Sequence, residues 1–219
     1  MNENLRIPQH WTFESQNVAE NFEGHVREQL PWYELVTSAV SIVARQYIPE
    51  DGIVYDIGAS TGNIGRALAD TIEQKNVDFT AIESSREMAK KYIGPEKLLI
   101  TDARKYDFKK FDCAICFLVL MFLPVHEREW FLRSLISKIR KGGALIVVDK
   151  TKPTSGYPSV ALSRMTIAGK VAAGALADEI IEKELSLAGY QRPIDENELP
   201  DARVEFFRFG EFAGWIIEG

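Results

Sequence analysis

Val54-Tyr55-Asp56-Ile57-Gly58-Ala59-Ser60-Thr61-Gly62-Asn63-Ile64-Gly65-Arg66-Ala67-Leu68 carries an apolar strand into a small, glycine-punctuated turn and on into an amphipathic helix. Gly58 and Gly62 let the backbone turn sharply and approach a ligand that any Cβ would push away. The amides of the turn, Ala59 and Ser60 among them, and of the helix start then face that ligand. Glu83, with Ser84 beside it, comes 21 residues after Gly62 at the end of the next apolar strand. A carboxylate at that distance can accept both hydroxyls of a ribose. The plainer reading is a helix-starting turn with no ligand. Turn, helix and spaced acid coincide, and together they describe a nucleoside-binding βαβ unit.

A dinucleotide fingerprint reads G-x-G-x-x-G, its middle glycine making room for a pyrophosphate. Ser60 stands at that middle position, which disfavours a diphosphate. The pattern here is Asp56-x-Gly58-x-x-x-Gly62. It resembles the first motif of the class I S-adenosylmethionine-dependent methyltransferases. The resemblance implies that the glycine loop lies under the methionine part of S-adenosylmethionine and that Asp56 sits near its ammonium group. Coulomb attraction gives the latter a physical reason.

At 219 residues the chain is long enough for one α/β domain with a real core. Its 46% apolar and 26% charged content is ordinary for a globular protein. A net charge of −6 argues against a nucleic-acid substrate, since phosphate binding favours a basic surface. Lys105, Lys109 and Lys110 read as a solvated loop. Met1 to Arg6 lacks the basic-then-apolar order of a secretory signal. The apolar run from Cys113 to Leu123 is too short to span a bilayer, so the expectation is a cytoplasmic protein with no membrane segment. Cys113 and Cys116 form a C-x-x-C inside a strand, where they point to opposite faces and read as core packing. His10, His25 and His126 lack ligand spacing, so no metal site is expected.

Strands are expected at 53–57, 79–83, 97–101, 111–117 and 144–149. Helices are expected at 62–73, 86–92 and 125–140, and Lys141-Gly142-Gly143 breaks the chain before the fifth strand. Apolar strands alternating with helices imply a Rossmann-like, doubly wound parallel sheet. The runs 203–209 and 212–218, joined at Gly210-Glu211, read as a terminal hairpin that adds an antiparallel strand. Class I methyltransferases have such a seven-stranded sheet, and a nicotinamide dehydrogenase would need a substrate domain besides. Residues 1–219 thus read as one domain. Residues 11–49 form a helical cap, and residues 151–200 a helical insertion, with one long helix at 159–188, over the acceptor pocket. The alternative makes both stretches packing or homodimer surfaces.

A closer resemblance runs through Trp11-Thr12-Phe13, Val18-Ala19-Glu20-Asn21-Phe22, Val26-Arg27 and Pro31-Trp32-Tyr33. It continues in Val54 to Gly58, Phe122-Leu123-Pro124, Gly142 to Leu145 and Phe207 to Phe212. These segments look like the carboxy-S-adenosylmethionine synthases, which make a carboxylated cofactor using prephenate. The resemblance implies that Tyr33 and Arg27 close over the cofactor, that Glu83 holds its ribose, and that Asp102 and Ala103 lie beside the adenine. Phe117 and Met121 stand where that family has a polar Asn and Gln. The family's carboxylate-holding cation has no clear counterpart, Arg192 and Arg203 being weak candidates.

The leading expectation is methyl transfer from S-adenosylmethionine to a small-molecule acceptor. Candidate bases are His126 and Asp149, then Tyr33 and His25, and Lys150 or Arg164 could hold an anionic substrate. The alternatives are carboxy-S-adenosylmethionine synthesis, a non-catalytic protein that binds the nucleoside, and a nicotinamide-dependent oxidoreductase, which Ser60 opposes. Cys116-Phe117-Leu118-Val119 lacks the Asp/Asn-Pro-Pro-Tyr/Phe signature of enzymes that methylate base amines.

Overall fold

The computed structural model describes residues 5–95 and 97–219; residues 1–4, part of the segment read for a targeting signal, lie outside the described residues. Strands β1 (Ile53–Ile57), β2 (Asp78–Glu83), β3 (Leu98–Ile100), β4 (Phe111–Phe117), β5 (Ile139–Lys150), β6 (Val204–Phe209) and β7 (Phe212–Glu218) form one sheet of order β3-β2-β1-β4-β5-β7-β6. β1 to β5 pair in parallel, while β7 pairs antiparallel with both β5 and β6. The order reverses between β1 and β4, and the carboxyl ends beside such a switch point form a crevice suited to a ligand.

Both faces of the sheet are covered, which is why β4 is buried along its whole length. Helix α2 (Tyr33–Tyr47) lays Val36, Val40 and Ala44 on the face that carries Val54, Cys113 and Ile146. On the other face α6 (Val125–Ile136) packs Phe131, Leu132 and Leu135 against Tyr55, Cys116 and Trp215. Cys113 and Cys116 thus lie in different layers as buried, free thiols. Each large apolar side chain taken from water contributes about 1.5–3 kcal/mol before entropy is counted. Among the described residues no helix is long and apolar enough to cross a membrane.

Several expected boundaries differ, among them the helix over 125–140, which ends at Ile136 because β5 already begins at Ile139. The helix expected over 62–73 is two short pieces, α3 (Asn63–Ala67) and α4 (Ala69–Gln74). The helix after β2 stops early, α5 being Arg86–Ala89, because the chain turns back so that Ile93 N–H donates to Thr61 O at 3.0 Å. Gly142-Gly143 does not break β5. Gly142, at φ +81°, takes up the register shift opposite Phe111–Cys113, and a Cβ on Gly143 would strike the Asp112 carbonyl. The long helix of the insertion is α7 (Tyr157–Ala172) followed by α8 (Ala177–Ser186). Gly174, at φ +105°, makes the turn between them.

Candidate functional site

A cavity of about 890 Å³ opens at the carboxyl ends of β1, β2 and β4. Gly58, Ser60, Asn63, Glu83, Ser84 and Asp102 line one end of it. There the backbone does most of the work. Gly58 and Ala59 N–H both donate to Ile82 O, at 2.8 and 2.9 Å. Ser60, held at φ +52°, donates its N–H to Glu83 Oε2 at 2.8 Å, and Ser85 N–H donates to Glu83 Oε1 at 2.7 Å. The Glu83 carboxylate therefore staples the glycine loop to the end of β2, and burial raises its pKa against the pull of those amides. Ser60 Oγ is buried and has no partner.

Both glycines serve neighbours within the chain. A Cβ on Gly58 would come 2.6 Å from Val119 Cγ2, and one on Gly62 would run into the Ile93 carbonyl oxygen. Both have positive φ, +72° and +92°. Close approach of a ligand is thus only part of what requires them. Ala59, Gly62 and Ala103 sit behind the lining rather than in it. With five residues, α3 is too short to offer much of a helix dipole.

Asp56 is fully buried under the loop and does not line the cavity. Burial first, and the neighbouring Glu83 second, push its pKa to about 7, with the Gly65 amide working against them. Its Oδ2 has no partner. Asp56 lies beneath the turn, outside the cavity lining. Arg27 is also elsewhere. It pairs with Glu23 at 2.6 Å and Glu34 at 2.5 Å on an exposed face outside the cavity. Glu23, on α1 (Gln16–Gln29), accepts from Thr61 Oγ1 and from Arg66 at 2.7 Å. Arg27 therefore braces the loop through Glu23.

Asp102 lines the cavity with its carboxylate held by Arg104, whose Nη2 lies 2.6 Å away and holds its pKa below the usual range. Tyr33 and Phe117 line it too, edge to face at 5.5 Å. Burial raises the Tyr33 phenol. Neither leading base candidate reaches the cavity. His126 has an 82% exposed side chain at the start of α6. Asp149 is fully buried and accepts from Leu120 N–H at 2.7 Å and Lys150 N–H at 2.8 Å. Those bonds secure the bend after β4, where Leu118 takes φ +62°, a costly conformation for leucine. Burial pushes Asp149 to about 7, the backbone amides opposing it. Arg164, Arg192 and Arg203 all lie away from the lining.

Most side chains lining the other end of the cavity were not singled out in the sequence, although they fall within residues 11–49 and 151–200. That end is walled by Trp11, Phe13, His25, Phe122 and Tyr190, and by Lys170, Lys183 and Glu184 from α7 and α8. Lys150, from the end of β5, lines it as expected, its Nζ 3.1 Å from Gln191 Oε1. One signal was available. Ile180, Lys183 and Ser186 share the buried face of α8, so a lysine occupies the stripe that an amphipathic helix gives to its core. His25 stacks on Trp11 with centroids 5.7 Å apart. Burial, then Lys183 and Lys170, pull its pKa down to about 3. Among the described residues no group of three or more His, Cys, Asp or Glu could hold a metal ion.

Comparison with known proteins accords with this geometry. A family profile described as a methyltransferase domain matches residues 54–143. The chain is 27% identical over 192 residues to a carboxy-S-adenosyl-L-methionine synthase of Staphylococcus epidermidis, covering 85% of this chain and 84% of that one. It is 25% identical to the enzyme of the same name from Actinobacillus succinogenes, over 94% and 88% of the two chains. Among solved structures, the fold matches a plantazolicin methyltransferase (TM-score 0.61, 14% identity, 93% of this chain and 91% of that one). It also matches the magnesium protoporphyrin IX methyltransferase of Synechocystis (TM-score 0.57, 16% identity, 90% and 93%). Residues 54–143 thus match a methyltransferase domain, and the chain as a whole has the sheet order and fold of these class I methyltransferases.

Proposed function

We propose that this enzyme transfers the methyl group of S-adenosylmethionine to a small-molecule acceptor bound in the same cavity. The observation that carries the proposal is the continuity of that cavity from the glycine loop to α7 and α8. Small-molecule sites run to roughly 300–1,000 Å³, so about 890 Å³ is room for a nucleoside and a modest acceptor together. The donor set at the loop end fits the cofactor. Each Glu83 oxygen keeps a lone pair for a ribose hydroxyl beyond the amide it already accepts. Asp102 can accept from an exocyclic amine, and the orphaned Ser60 Oγ is a polar atom in need of a partner.

When bound, the cofactor supplies a sulfonium-activated methyl group. The chain's own part is alignment and exclusion of water. Tyr33 and Phe117 make a dry wall beside the loop. Asp149 and His126 take no part as bases in this reading, so the acceptor brings its own nucleophilic lone pair. Calorimetry with S-adenosylmethionine and S-adenosylhomocysteine tests the cofactor end, and release of S-adenosylhomocysteine with a panel of small acceptors tests transfer. No binding of either nucleoside would end the proposal. Binding without turnover on any acceptor would favour a binding protein.

Similarity along most of both chains to enzymes named carboxy-S-adenosyl-L-methionine synthase supports a second reading, carboxylation of the cofactor. Phe117 and Met121, and the absence of Arg192 and Arg203 from the lining residues, count against it. Supplying prephenate and looking for a carboxylated nucleoside by mass spectrometry separates the two.

A further inference from the structure

We propose that the far end of the cavity binds the carboxylate of a small aromatic acid, with Lys183 as its anchor. The proposal rests on the transfer reading in that the acid would be the acceptor: the sulfonium methyl passes to a hydroxyl or amine on its ring, S-adenosylhomocysteine leaves and the displaced proton goes to solvent, while the carboxylate stays on Lys183.

Lys183 lines the cavity with only 9% of its surface exposed. A buried ammonium is costly unless an anion or several acceptors replace its water. Among the described residues Lys183 Nζ has neither hydrogen bond nor ion pair; its close contact is with the Trp11 ring. The other cations nearby are engaged. Lys170 holds Glu184 at 2.9 Å, and Lys150 reaches Gln191 at 3.1 Å and Glu211 at 3.7 Å. His25, which also faces this space, is a neutral imidazole with an unpartnered Nε2. Glu184 and Glu211 are thus taken by Lys170 and Lys150, and one positive charge at Lys183 is left without a counterion. Burial and Lys170 drive the Lys183 ammonium toward its neutral form, and an anion would restore it.

The wall around this charge defines the rest of the ligand. Trp11 meets Phe13 edge to face at 5.8 Å, Phe13 meets Phe122 at 5.1 Å, and Phe122 lies 5.3 Å from Tyr190. Aromatic surface ending at one unpaired lysine suits a flat ring that carries a single carboxylate at this end.

Phenylacetate and its neutral isostere phenylacetamide are the probes. Each is titrated by calorimetry into the wild-type chain, Lys183→Met, Lys183→Gln and Lys183→Arg, with and without saturating S-adenosylhomocysteine. The wild type should bind the acid at least about tenfold more tightly than the amide, the scale of a charge-assisted hydrogen bond. Lys183→Met and Lys183→Gln should bring the two within about twofold, whereas Lys183→Arg should keep most of the preference. S-adenosylhomocysteine affinity should stay within about twofold throughout. Equal binding of acid and amide by the wild type, no binding of the acid, or a preference that survives in Lys183→Met or Lys183→Gln would overturn the proposal. Should Lys183→Met fail to fold, the wild-type pair of titrations and Lys183→Gln decide. Absence of nucleoside binding with the acid preference intact would sink the transfer reading and leave this one standing.

Discussion

The two ends of the cavity are built by different means. At the cofactor end, short-range backbone bonds fix the surface: Gly58 and Ala59 hang from Ile82 O, and Ser60 from Glu83. At the far end, α8 is tied to the amino-terminal segment by Ser186 Oγ donating to Pro8 O at 2.5 Å and Trp11 N–H donating to Ser186 O at 2.9 Å. The small cluster of Trp11, Val18 and Leu187 packs beside those bonds. The first end is continuous with the sheet, so changing it disturbs the core. The second is assembled from residues far apart in the chain and meets the sheet only at its rim, where Ser85 Oγ donates to Phe13 O at 2.7 Å and Lys150 ends β5. A fold can in this way keep one cofactor while its acceptor site varies.

The sharpest break in that comparison is Gly62→Ala. It combines a positive φ with a Cβ driven into the Ile93 carbonyl, at a cost of about 3 kcal/mol. For a chain of this size that lowers the Tm by roughly 6–12 °C, with S-adenosylhomocysteine binding largely lost. Calorimetric melting checks it. A fall of less than about 2 °C would mean that the loop yields and that the cofactor end is not the rigid one.

Glu83→Ala comes next. Two buried amides lose their acceptor, and a ribose would lose its own, so S-adenosylhomocysteine affinity should fall about ten- to a hundredfold. Glu83→Gln restores one acceptor oxygen and should recover part of the loss. Unchanged affinity in the alanine variant, measured by calorimetry, would remove Glu83 from the site.

This contrast also explains what a single sequence discloses. β4 is buried at every position, so its apolar run gave both ends of the strand, Phe111 and Phe117. The loop was legible because positive φ calls for glycine at 58 and 62, and because Glu83 follows at a spacing the βαβ unit imposes. Gly142 was misleading, since a glycine that absorbs a bulge looks in sequence like one that ends a strand. Asp149 and His126 were chosen for chemistry and proximity to strand ends. One caps a bend and the other faces solvent, a difference decided by side-chain direction, which strand order alone does not fix. Lys183 depends on Trp11, 172 positions away in the chain, and no local pattern encodes that meeting.

A third test uses pH to probe the ground beneath the loop. Asp56 titrates near 3.9 in an unfolded chain and at about 7 when folded. The folded form keeps a proton that the unfolded chain has lost. Stability from this group is therefore full below about pH 4, declines as pH rises toward 7, and is flat above. The whole span is of order 4 kcal/mol. Asp149 acts in the same sense and the buried His25, pulled down to about 3, in the opposite one, so Asp56→Asn should shift the change in stability between about pH 4.5 and 7.5, read by urea unfolding, in the stabilising direction. S-adenosylhomocysteine affinity should change little, because Asp56 does not line the cavity. An unaltered pH slope would show that Asp56 is ionised in the fold; a large loss of affinity would return it to the cofactor's ammonium.

The smallest effect belongs to Gly174→Ala, at the turn between α7 and α8. Gly174 has φ +105°, yet a Cβ there meets nothing within 4 Å. Only the backbone penalty remains, about 1 kcal/mol, or roughly 2–4 °C in Tm. Because nothing lies within 4 Å of that Cβ, this strain should stay local. S-adenosylhomocysteine affinity should match that of the wild type, while phenylacetate binding weakens modestly as α8 shifts Lys183. If nucleoside affinity falls along with it, the two ends move as one body, and variation in the insertion would carry a cost at the cofactor.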